Sequence, residues 1–183
     1  MMSKLTGYMM GLTALLGMTT RDAGAATLSE MRMINASQKP GMTVACRELM
    51  EIQIKGQAEP IRVESLLTGV ILQNEGDRMV FDVTYIQKNV GWEAPFRTET
   101  YRLTTTLEGT RQKLVVDPET IRLSLPYARN REEYFLGLLK ASTVSYDNYS
   151  TYRVTSATDY QILPDPSSPD APVMHCSVRP PIG

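Results

Sequence analysis

The chain has 183 residues, 42% hydrophobic and 21% charged, with a formal net charge of −1 and a mean hydropathy of −0.22. Near-neutral charge argues against a nucleic-acid reader, which presents a strongly basic face, and the balanced composition argues against disorder. A single histidine and two cysteines leave little material for acid–base catalysis near neutral pH or for a patterned metal site.

Residues 1–25 read as an export signal. Lys4 supplies positive charge, Tyr8–Met18 an apolar run, and Ala23-Gly24-Ala25 the small residues that a signal peptidase recognises, which predicts cleavage before Ala26. The run covers 11 residues, whereas a membrane span needs roughly 20, so no stable transmembrane anchor is expected. Cleavage takes Lys4 and Arg21 from the 19 basic side chains and Asp22 from the 20 acidic ones, which leaves 17 against 19. Residues 26–163 then suit one domain with a real core.

Thr27 and Glu30 have the spacing of a capping box, and Leu28, Met31 and Ile34 line one face of a short helix of at most two turns, or a flexible arm. "TVACRELMEIQIKG" fits two readings. As a helix, Thr43 caps it and Arg47, Glu51 and Lys55 form a polar stripe; as a strand, Val44, Cys46, Met50, Ile52 and Ile54 share a face that only Glu48 interrupts. Helix formers in its first half favour the helix. Either reading turns Cys46 inward.

From residue 60 the period becomes two. "IRVESLLTGVILQ" and "RMVFDVTYIQ" flank a polar turn, with Met79, Phe81, Val83 and Tyr85 on one face. In "FRTETYRLTTTL", Tyr101, Leu103, Thr105 and Leu107 alternate with polar residues, and Glu108-Gly109-Thr110 makes the next turn. Asp117-Pro118 predicts a kink or corner between "QKLVV" and "TIRLSLP". "NREEYFLGLLKAS" predicts a helix over 131–141, capped by Asn130 and Glu133, with Phe135, Leu138 and Leu139 as its apolar face. One or two strands follow in 142–163, and residues 164–183 read as a proline-rich tail. The expected fold is α+β: a mainly antiparallel meander, curved or partly closed, with one or two packed helices. A small β-barrel or β-sandwich is the alternative.

Cys46 and Cys176 are expected to form a disulfide that ties the tail back, because exported chains meet oxidising conditions. His175 cannot readily serve Cys176 as a base, since neighbours in an extended segment point to opposite faces. Glu132-Glu133 is the acidic first turn of a helix, and Glu93 beside Trp92 has no evident carboxylate partner. With no phosphate loop, nucleophile elbow or zinc motif, no catalytic residue, metal or cofactor is expected. Trp92 and Phe96 in the 88–96 loop, and Tyr146, Tyr149 and Tyr152 spaced three apart, form the candidate recognition surface. These features predict a periplasmic or extracellular, non-catalytic protein that contacts a protein partner in a cell-envelope assembly. The alternative is a carrier of an apolar small ligand held between the curved sheet and helix 131–141, in a cavity lined by Phe81, Val83 and Leu103. Nucleic acid is not an expected partner.

Overall fold

The computed structural model describes residues 24–145, 148–164 and 172–181. Residues 1–23 of the expected export signal, Tyr146, and residues 165–171 of the proline-rich stretch lie outside the described residues.

The alternation in the sequence resolves into five long strands: β1 (Thr43–Ile52), β2 (Ile61–Asn74), β3 (Arg78–Asn89), β4 (Arg97–Glu108) and β5 (Arg111–Ser124). They pair as a continuous antiparallel meander. At the β4–β5 hairpin, Gly109 takes φ 65°, the left-handed conformation that costs glycine least. Asp117-Pro118 breaks the ladder as predicted. Arg102 opposes Asp117 but Thr100 opposes Arg122, so β5 bulges there. Thr120 Oγ1 accepts the hydrogen bond from the Arg102 amide at 2.8 Å.

Three shorter strands complete the ring: β6 (Asn148–Val154), β7 (Asp159–Leu163) and β8 (Met174–Arg179). β8 lies antiparallel to both β7 and β1, and all eight strands form one closed barrel. The alternative expectation, a small β-barrel, therefore describes the fold better than a partly closed meander. Closure rests on short ladders. Arg111–Leu114 pair with Asn148–Thr151, and Thr43–Arg47 pair with His175–Arg179, whereas β1–β5 continue well beyond those segments. Half of the molecule is thus a ring, and the other half a curved extension of its longest strands.

Two helices complete the structure. α1 (Leu28–Ser37) begins with the predicted capping box: Glu30 N–H donates to Thr27 Oγ1 at 3.3 Å and Thr27 N–H to Glu30 Oε2 at 2.9 Å. It buries Met31 and Ile34 in the same core as Ile71, Phe81, Leu107 and Val178, and so plugs one end of the ring. Each such side chain contributes about 1.5–3 kcal/mol by leaving water. Asn35, also buried, donates to the Gly76 carbonyl at 3.0 Å and accepts from Gln112 Nε2 at 3.1 Å, which ties the plug to the β2–β3 turn and to β5. α2 (Glu132–Ser145) packs on β5.

Three local expectations are corrected. Residues 43–52 are strand, not helix, because β1 has a full-length partner in β2 and its even-numbered side chains face the interior. Asn130 is not a helix cap but lies inside a 3₁₀ turn, Arg129–Arg131, that precedes α2. Residues 174–179 are a barrel strand rather than part of a tail, since both β1 and β7 offer it hydrogen-bonding edges.

Candidate functional site

Strand alternation sends one residue in two into the barrel, and the inward set does not fill it. A cavity of about 340 Å³ remains, bounded by Leu67, Phe81, Val83, Tyr101, Leu103 and Val116, with the Cys46 sulfur in its wall. Gly69 helps to create the space. It is buried on β2 opposite Val83, and a methyl group placed there would meet the Phe81 side chain first, at 3.4 Å. Eight strands enclose an interior that side chains can just fill, or that holds one small ligand. Here the small residue leaves room.

Among the described residues, no charged side chain lines this cavity. Its far wall carries Tyr152 and Tyr160, buried rings whose centroids are 5.4 Å apart. Burial pushes both phenols up, so they stay neutral at physiological pH. Tyr101 is pushed up to about 12, first by burial and then by the Glu99 carboxylate. Thr105 also lines the cavity, is 5% exposed, and has no hydrogen-bond partner for its Oγ1 among the described residues.

Past Tyr101, in the open half, the inward face becomes polar. Register places Glu48, Ser65, Gln87 and Arg97 side by side across β1–β4, with Glu99 opposite Tyr85. Tyr85 Oη and Gln87 Nε2 donate to the buried Ser65 Oγ at 3.1 and 3.3 Å. Burial raises the Glu48 pKa, an effect that its hydrogen bond to Ser65 partly offsets. Arg97 is ion-paired to the buried Glu99. Arg97 also borders a second hollow of about 360 Å³, between Leu123 and Leu125 and the α2 residues Phe135, Leu138 and Leu139.

The chain matches no protein-family model and no curated protein.

The residues singled out in the sequence are scattered. Cys46 and Cys176 form a disulfide, at directly opposed positions of β1 and β8. His175 points outward, where Gln161 Nε2 lies 3.3 Å from its Nδ1, while Cys176 is buried. Trp92 is 48% exposed and meets Tyr127 edge-on, with centroids 5.8 Å apart. Glu93 stands exposed in the same turn. Phe96 belongs to the hollow beneath α2. Tyr149 donates to Glu108 at 2.7 Å, and the Arg111 guanidinium sits 4.3 Å from its ring centroid, at the far end of β4 from Trp92. Tyr152 is not a surface residue: a three-residue step along a strand reverses the face, which sends it into the barrel core, whereas Tyr149 is only half-buried. The proposed aromatic surface is therefore not one patch. Among the described residues, no group of three or more His, Cys, Asp or Glu side chains could hold a metal ion, and no helix is long and apolar enough to cross a membrane.

The polar cluster around Ser65 was missed in the sequence. Its signal was there, in polar residues such as Glu48 and Ser65 occupying inward positions of otherwise apolar alternating runs.

Proposed function

We propose that the protein is an exported, non-catalytic carrier that holds an apolar small ligand inside its barrel. The observation that carries this reading is the cavity beside Phe81, Val83 and Leu103, a mainly apolar volume of about 340 Å³ within the range typical of ligand sites. The β-barrel encloses its ligand by itself, so the binding site is the interior rather than the space between an open sheet and a helix. Export is supported by the three-part N-terminal pattern and by the Cys46–Cys176 bridge. The test is titration of the purified protein with N-phenyl-1-naphthylamine, whose fluorescence rises in apolar surroundings. Saturable enhancement at a stoichiometry of about one is expected; a flat titration would remove the carrier reading.

A second reading, contact with a protein of a cell-envelope assembly, is favoured by a different observation. Val90, Trp92, Tyr127 and Tyr134 are 49, 48, 65 and 66% exposed. Exposed apolar and aromatic side chains of this kind suit a protein partner. Native co-purification of wild type and Trp92→Ser tests it, and a partner retained equally by both would count against this surface.

A further inference from the structure

Resting on the carrier reading, we propose that the barrel interior selects uncharged ligands bearing a hydroxyl group on an apolar body, and rejects carboxylates such as fatty-acid anions.

Among the described residues, the wall around the cavity holds no ammonium, guanidinium or imidazolium to receive an anion. A carboxylate entering it would lose its hydration without gaining a counter-charge, a penalty of several kcal/mol. The adjoining polar cluster offers no remedy. Its guanidinium, Arg97, is already ion-paired with Glu99, and Glu48 adds a further carboxylate on the same inner face. A ligand that extended an acidic head toward this end would meet an excess of negative charge.

A hydroxyl, by contrast, finds an unmet need. Thr105 Oγ1 is buried at the cavity wall and has no partner among the described residues. Buried hydroxyls seldom stay unpaired, because each costs about 1–3 kcal/mol when left so. Two positions further along the β4–β5 ladder, opposite Leu107, Gln112 leaves its Oε1 unpartnered among the described residues while its amide nitrogen is held by Asn35. A ligand alcohol can accept from a threonine hydroxyl or donate to it, whereas a pure hydrocarbon satisfies neither atom. The surrounding Phe81, Tyr101, Tyr152 and Tyr160 rings provide the contact area for the apolar body.

The experiment is competition against bound N-phenyl-1-naphthylamine at neutral pH with three ligands of one chain length: decan-1-ol, methyl decanoate and decanoate. Decanol should displace the probe at a concentration more than about tenfold below that of decanoate, a difference worth about 1.4 kcal/mol or more. Methyl decanoate, uncharged but without a donor, should fall between them. Thr105→Val keeps the shape, and should weaken decanol about three- to tenfold relative to the probe's own affinity for the same variant, the worth of one hydrogen bond. Decanoate equal to decanol in the wild type overturns the proposal, as does decanol affinity unchanged in Thr105→Val. If the probe enters and all three ligands compete equally, only the selectivity falls; if the probe never binds, the carrier reading falls with it.

Discussion

Cys46 and Cys176 face each other across the β1–β8 ladder, bonded to one another with Cα atoms 4.0 Å apart and 130 residues apart in sequence. The bridge therefore crosses the seam where the last strand meets the first. That seam is short, ending at Arg47–His175, so the covalent link substitutes for ladder that the sequence does not supply. Loss of such a bridge costs about 2–5 kcal/mol, chiefly by freeing the unfolded chain. Cys176→Ser, or dithiothreitol added to the wild type, should lower the unfolding midpoint by a corresponding amount. The double variant Cys46→Ser/Cys176→Ser should be no worse than either single change. A midpoint indifferent to reductant would show that the ladder alone closes the ring.

Gly69 offers a way to fill the barrel without breaking it. Glycine inside a strand costs roughly 0.5–1 kcal/mol relative to alanine, and the nearest atoms to an added Cβ belong to the Phe81 side chain, at ordinary contact distance. Gly69→Ala should therefore be neutral or slightly stabilising. Gly69→Val adds volume to the cavity itself and should weaken N-phenyl-1-naphthylamine about tenfold or more, with little loss of stability. Probe affinity unaltered in a folded Gly69→Val protein would place the bound probe elsewhere, with the hollow beneath α2 as the next candidate.

The plug helix is a separable element. Ile34 is 2% exposed in the barrel core, and Ile34→Ala should cost about 2–5 kcal/mol in urea unfolding. Thr27→Ala removes the cap on the same helix and should cost about 1 kcal/mol. If Ile34→Ala cost no more than Thr27→Ala, α1 would be an appendage rather than a stopper of the ring.

Much of this architecture was legible wherever local pattern and tertiary demand agreed. Period-two alternation from Ile61 to Leu107 marked β2, β3 and β4, and the capping box at Thr27–Glu30 marked α1, because in each case one face is core and the other is not. β1 misled because Glu48 occupies an inward position, for which the reason is Ser65 on the neighbouring strand, a partner 17 residues away that no local window contains. β8 was hidden because "MHCSVR" is short and follows a run of prolines; its strand character comes from the two edges it closes. The cavity was legible only as a list of inward residues. Whether such residues fill a barrel depends on their summed volume across eight strands, which no local window contains. Tyr152 left the expected surface for a simpler reason: a spacing of three suits a helix face, and residues 148–154 are a strand.

Glu48 is the interior group most open to a test by pH. It lies one residue beyond the end of the β1–β8 ladder, half-buried beside Ser65. Burial raises its pKa above the ordinary glutamate value of 4.5. Between 4.5 and the raised value, the folded protein binds a proton that the unfolded chain has released. Folding stability from this group therefore falls as pH rises through that window, and stays at the lower level above it. Glu48→Gln keeps a hydrogen-bonding group for Ser65 and removes the ionisation. The variant should unfold at a higher temperature than the wild type at neutral pH, and the gap should close as pH drops below 4.5. Thermal unfolding of both proteins across that range decides the point. A Glu48→Gln protein that is less stable than the wild type at neutral pH would mean that the carboxylate is held by favourable partners, and that the polar end of the barrel is not short of positive charge.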